Sequence, residues 1–148
     1  MYKRILVPLE HSHYDDVIIA HVRELARLSG SSIVLIHVAD GWAARNIRQL
    51  NLRESEEMQK DRAYIEGVGA SLEADGFAVD AILAGGDPGE EIAAAAEREH
   101  CDLIAMSTHG HRGIADVLRG SVANVVRHIS MVPVLLVRGP SSPKKKTS

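Results

Sequence analysis

Residues 102–121, DLIAMSTHGHRGIADVLRGS, decide how the rest of the chain is read. Leu103, Ile104, Ala105 and Met106 make a short apolar strand. Gly110 and Gly113 then break a polar loop, and Gly120-Ser121 precede Val122, Val125, Val126 and Ile129 at helical spacing. Strand, glycine loop and helix start, in that order, suit an anion such as phosphate. Glycine lets backbone N–H groups approach without a Cβ in the way, and a helix start offers unpaired N–H groups and the positive end of its dipole. Two glycines after a strand also serve an ordinary turn, so the flanking sequence has to supply the context.

Upstream, residues 4–9 form a continuous apolar run, as in a parallel strand covered on both faces, with Pro8 near its end where a missing donor does no harm. Ser12 and Asp15 match a capping-box spacing with Asp in place of the usual Glu. Ile18, Val22, Leu25 and Leu28 recur at helical spacing, and Gly30 supplies the stop. A second strand is predicted over 32–38, and residues 41–51 are of mixed character. A helix from about 52 to 75 turns Met58, Ile65, Val68 and Leu72 inward and ends at Gly76. Residues 77–84 are predicted as the third strand, with Val79, Ala81 and Leu83 on one side and Ile82 on the other. Asp87 then serves as N-cap and Pro88 as first residue of a helix that runs to about Glu99 and buries Ile92, Ala93 and Ala96. That helix is small-sided and should pack close. Residues 133–138 form the fifth strand.

Five strands alternating with four helices require crossover connections. These give an α/β fold of the Rossmann-like kind, an open five-stranded parallel sheet with helices on both faces. Residues 1–139 make one domain. Residues 140–148 hold no apolar side chain and read as a flexible basic tail, whose lysine triplet is short of a lipid-binding cluster.

Composition narrows the function. With 45% hydrophobic and 25% charged residues the chain reads as an ordinary soluble protein, and its net charge of −3 and 3% aromatic content argue against nucleic acid. Cys101 is the single cysteine and reads as an apolar filler. No signal-peptide pattern or membrane-spanning run is present, so no membrane association and a cytoplasmic location are expected.

The order Gly110, nine residues, Gly120-Ser121 resembles the carboxy-terminal half of the Gly-x-x-Gly-x9-Gly-Ser/Thr signature of ATP-binding universal stress proteins. The likeness runs nearly end to end, through KRILVPLEHS, IVLIHV, GDPGEEI and PVLLVR. It departs at Ser107, where the signature has its first glycine, and at Glu10, where the family usually has an adenosine-binding Asp. The resemblance implies an adenine nucleotide alpha hydrolase-like sheet of order 3-2-1-4-5, with the reversal of strand order between the first and fourth strands, where such sheets bind ligands. It also implies ATP as ligand, with Mg²⁺ or Mn²⁺ as its companion, a homodimer formed through the last strand, and a protein partner the sequence does not identify.

Carried over by position, Pro8, Leu9 and Glu10 lie along the adenosine and Val38 contacts adenine. Gly110, Gly120, Ser121 and Val122 wrap the phosphates. Met106, Ser107, His109, Arg112 and Gly113 complete the implied nucleotide-binding set, and Arg112 and Arg119 are candidates for screening phosphate charge. Each has a plainer reading as turn, cap or surface residue.

Three functions stay open. One is an ATP-binding stress-response regulator or sensor, and a second is a nucleotide-free interaction protein of the same fold. The third is a slow ATP hydrolase or metal-binding variant that uses His11, His13, His109 and His111. Fast catalysis is disfavoured, because the loop GHRGIADVLRGS has no Walker lysine and the chain has no Gly-x-Ser-x-Gly elbow. His37 and His128 are expected to pack on a strand and a helix.

Overall fold

The computed structural model describes residues 1–39, 51–108 and 114–139, with side chains described throughout except at 51–55 and 114–121. In chain order the elements are β1 (Arg4–Pro8), α1 (Asp15–Ser29), β2 (Ser32–Ala39), α2 (Asn51–Ala74), β3 (Val79–Gly85), α3 (Pro88–Arg98), β4 (Leu103–Thr108), α4 (Ile114–Ile129) and β5 (Val134–Arg138). All strands are parallel in the order β3-β2-β1-β4-β5, as expected. The expected tail at 140–148, the mixed segment 41–50 and the glycine loop at 109–113 lie outside the described residues.

The continuous apolar runs have the cause inferred for them. Ile5, Val7, Leu9, Ile33, Leu35, Leu103 and Ala105 face one core with Ile18, Val22 and Ala26 of α1 and Ile65 and Leu72 of α2. Leu6, Val34, Ile36, Ile104 and Met106 face the other with Ile92, Ala95 and Ala96 of α3 and Ala123 and Val126 of α4. Successive strand residues point to opposite faces, and here both faces are apolar. The close approach of α3 also holds: a Cβ on Gly89 would stand 2.6 Å from Val125 Cγ1.

Several expectations need correction. Leu28 is 87% exposed, because the buried stripe of α1 runs through Ile18, Val22 and Ala26 and leaves it on the outer side. His128 is exposed on α4, whose core-facing residues are Ala123 and Val126. β3 begins at Val79, and β4 runs on to Thr108 because its ladder with β5 extends that far. α4 starts at Ile114, six residues before Gly120, where the sequence pattern placed the start after Ser121. Ile114, Val117, Leu118 and Val122 already recur at helical spacing, and one glycine costs an internal helix position only about 1 kcal/mol.

Polar groups tie the amino-terminal ends of the strands. Arg4 reaches Asp80 Oδ2 at 2.9 Å, Glu99 Oε1 at 3.2 Å and the Glu99 carbonyl at 2.8 Å. The Asp102 carboxylate accepts from the N–H groups of Lys3 (2.9 Å) and Arg4 (3.0 Å). Partial burial nudges the Asp102 carboxyl upward, but the Lys3 and Arg4 amides outweigh it and hold it below the usual 3.8.

A group held below its unfolded value stabilises the fold above that unfolded value, and the contribution is lost as pH falls through the folded one. Asp102→Asn should therefore lower the urea midpoint at pH 7. The gap from the parent should close as pH drops below about 3.8, which denaturation series at several pH values would measure.

Candidate functional site

At the carboxyl ends of the strands the pairing between β1 and β4 ends before that of their neighbours. The β1–β2 pairing continues to Pro8↔Ile36, and the β4–β5 pairing to Thr108↔Arg138. Between β1 and β4 the paired residues are Ile5↔Leu103 and Leu6↔Ile104, and the ladder stops there. Pro8 explains the stop. Leu9 donates its N–H toward β2, to the Ile36 carbonyl at 2.8 Å, so the preceding residue is the one that faces β4. That residue is a proline, with no N–H to give. The missing donor that is harmless at a strand end thus ends the β1–β4 ladder early at the strand-order reversal, the place where open α/β sheets have their ligand crevice.

One wall of this crevice is the loop from β1 to α1, and its backbone is fixed by one side chain. Asp15, 1% exposed at the start of α1, accepts from the N–H groups of Glu10 (2.9 Å), His11 (2.8 Å) and Ser12 (3.2 Å). Tyr64 of α2 adds its hydroxyl to the same carboxylate at 2.6 Å. Burial and the Asp15 charge push the Tyr64 hydroxyl well above its ordinary pKa, so it keeps the proton it donates. The expected capping box is half formed: Asp15 reaches back to the Ser12 N–H, whereas the Ser12 hydroxyl accepts from Tyr14 N–H at 3.3 Å instead of from Asp15. The tight turn requires a left-handed backbone at His11, with φ of 66°.

Beside it lies a second polar group. His11 stacks on Tyr64 with ring centroids 4.1 Å apart, and its Nδ1 lies 2.8 Å from Asp61 Oδ1. His37 bonds the Leu9 carbonyl through Nδ1 at 2.9 Å and lies 3.4 Å from Asp61 Oδ2 through Nε2. Sequence reasoning assigned His37 to packing and overlooked Asp61 and Tyr64. These two are three apart on α2, hence on one face, and share it with Ile65 and Val68; that spacing was the available signal. His13 packs on the Tyr14 ring, and His109 and His111 lie outside the described residues. Among the described residues no group of three or more His, Cys, Asp or Glu is placed to hold a metal.

The structure brings Pro8, Leu9 and Glu10 to one side of the crevice and Met106 and Ser107 to the other. Leu9 and Met106 are buried in opposite cores, so their side chains face away from it. Both backbone groups of Leu9 are taken, by Ile36 and His37. Glu10 turns a carboxylate oxygen to the Ser12 hydroxyl at 3.4 Å. Val38 and Val122 pack against the second core from β2 and α4. Gly120 and Ser121 lie inside α4, past the first turn whose N–H groups lack helical partners. Their side-chain surroundings, and the whole of His109, Gly110, Arg112 and Gly113, lie outside what is described. The buried hydroxyl of Ser107 has no hydrogen-bond partner among the described residues.

If Asp15 is what holds the loop, Asp15→Ala should cost about 2–4 kcal/mol in urea denaturation, since three N–H groups lose their acceptor together. Tyr64→Phe removes one bond of the same set and should cost about 1–2 kcal/mol.

Comparison with known proteins agrees with this geometry. Residues 1–138 match the family described as the universal stress protein family. Universal stress protein MJ0577 of Methanocaldococcus jannaschii is 32% identical, with 96% of this chain and 98% of that protein aligned. Its solved structure superposes with a TM-score of 0.83 over 96% and 99% of the two chains. A universal stress protein in complex with cAMP shares the fold at TM-score 0.69 and 19% identity, over 93% and 97% of the chains. Another from Archaeoglobus fulgidus, in complex with dAMP, does so at 0.68 and 18%, over 92% and 98%. With its fold, its strand order and nearly its full length in common with them, this chain belongs to the universal stress protein family.

Proposed function

We propose that this protein binds an adenine nucleotide, ATP foremost, in the crevice between β1 and β4, and acts in the cytoplasm as a stress-response regulator or sensor. The observation that carries the reading is the early end of the β1–β4 ladder at Leu6↔Ile104, at the strand-order reversal where open α/β sheets take ligands. Relatives of the same fold solved with cAMP and dAMP support an adenine nucleotide as its class. The proposed phosphate wrap is the glycine loop after β4 with the first turn of α4, whose N–H groups lack helical partners, and Ser121 is its hydroxyl donor. Mg²⁺ or Mn²⁺ would enter on the phosphates of the nucleotide.

Binding is favoured over turnover. A site that grips through backbone amides holds ground state and transition state alike, and such uniform binding gives no acceleration. Of the histidines once considered for chemistry, His11 is already engaged by Asp61 and Tyr64.

β5 supports a homodimer. Among the described residues it pairs with β4 alone and stands at the sheet edge, with Leu136 41% exposed and Met131, just ahead of it, 94% exposed. An unpaired apolar edge invites a second strand.

Titration calorimetry with ATP should give micromolar binding that Gly120→Val abolishes while the far-UV spectrum is unchanged, since a helix interior tolerates valine. No heat at millimolar ATP would overturn the reading and leave the nucleotide-free interaction protein. By light scattering the parent should run as a dimer and Leu136→Lys as a monomer. A parent that is monomeric at tens of micromolar removes the β5 interface.

A further inference from the structure

We propose that Asp61 of α2 is a positioning residue for nucleotide binding, and that it acts by sharing one proton with His37. That proton fastens α2 to the loop between β1 and α1, so nucleotide affinity strengthens as the pH falls from about 8 to about 6. The inference rests on the nucleotide reading above and deepens it by adding a proton as regulator of the same site.

The ring protons follow from what each nitrogen faces. A carbonyl oxygen only accepts, so His37 Nδ1, 2.9 Å from the Leu9 carbonyl, carries a hydrogen. A carboxylate oxygen also accepts, so His11 Nδ1, 2.8 Å from Asp61 Oδ1, carries one too. A neutral imidazole has a single N–H, and His37 gives its own to Leu9. Its Nε2 therefore turns a lone pair to Asp61 Oδ2, 3.4 Å away, unless a second proton lies between them. The two side chains are 13% and 18% exposed, which leaves little water to separate the facing lone pairs. A proton between them replaces repulsion by a charge-assisted hydrogen bond.

Two residues of α2, about one turn apart, reach the loop. Tyr64 stacks on His11 and donates to Asp15, and burial holds its hydroxyl well above the ordinary value, so this tie does not change near neutral pH. Asp61 reaches the loop at two points, at His11 directly and at Leu9 through His37. Glu10 lies between those points, with its N–H held by Asp15. Among the described residues the other groups around His37 leave the proton to Asp61. Its register partner on β3 is the uncharged Leu83, and the His11 ring stands edge-on with centroids 6.4 Å apart. Glu10 turns an oxygen to the Ser12 hydroxyl, and Asp15 is taken by the loop amides and Tyr64. The His11 bond to Asp61 needs no added proton, since the neutral ring supplies it.

Asp61→Asn separates the contact from the proton. The asparagine oxygen accepts from His11 Nδ1–H and its nitrogen donates to the unprotonated His37 Nε2, so the tie forms without a second proton. Calorimetry against ATP at about pH 6 and about pH 8 compares the parent with Asp61→Asn and Asp61→Ala, and the titration of ATP itself cancels in the ratio of affinities. At about pH 8 Asp61→Asn should bind about threefold or more tightly than the parent, and at about pH 6 that advantage should be gone. Asp61→Ala keeps neither contact and should bind more weakly than Asp61→Asn at both. Nitrogen NMR of the nucleotide-free parent should show His37 Nδ1 protonated throughout and Nε2 gaining its proton as the pH falls from about 8 to about 6. A ratio of parent to Asp61→Asn affinity that is the same at both pH values overturns the proposal. So does a His37 ring with Nδ1 unprotonated, or one whose charge does not change over this range. A parent that binds no ATP at either pH overturns the nucleotide reading and this proposal with it, an outcome distinct from a parent that binds with an unchanging ratio.

Discussion

The carboxylate of Asp15 is the interaction on which the functional end of the molecule depends. A loop leaving a central strand has several N–H groups in succession that can no longer join a ladder, and buried N–H groups without partners are costly. Here one carboxylate collects those of Glu10, His11 and Ser12, and Tyr64 closes its remaining side. The carboxylate sits in the first turn of α1, where the helix dipole favours negative charge. Helix, loop and α2 are thereby held to each other at the point where β1 ends, so one wall of the crevice is fixed by groups the ligand does not have to supply.

The two ends of the sheet are built on opposite plans. At the amino-terminal ends Arg4 and Asp102 draw β1, β3 and the close of α3 together, and Cys101 lies buried with its thiol pushed up to about 11 by desolvation, a packing residue with no thiolate to offer. At the carboxyl ends Pro8 withholds a donor and the β1–β4 ladder ends.

Membership of the family sets the architecture and leaves the chemistry of this particular crevice to its departures. Glu10, one methylene longer than the usual Asp, directs an oxygen to Ser12 in its own loop. Ser107 brings a hydroxyl where the signature has none. The start of α4 at Ile114 moves the positive end of its dipole six residues upstream of Gly120, toward the glycine loop. The carboxyl end of this sheet thus carries the side chains of Glu10 and Ser107 beside its loop amides.

Much of this was legible in the residues themselves. Apolar runs of strand length, separated by stretches of helical period with Gly30, Gly76 and Asp87-Pro88 as punctuation, determine the α/β class and the element order, because period and caps are local properties. Pro8 was visible as a strand-end residue, but only the pairing of Leu9 with Ile36 shows which neighbour its missing donor faces. Asp15 was legible as a helix-start acid and not as the acceptor of three loop amides. Asp61 and Tyr64 were legible only as part of a charged helix, since their partners lie about fifty residues away. The start of α4 was misplaced because a single glycine, Gly120, weakens a helix locally without ending it. Local pattern sets what each segment becomes; which backbone group meets which distant side chain depends on the packing of α1 and α2 over β1, and that exists only in the folded chain.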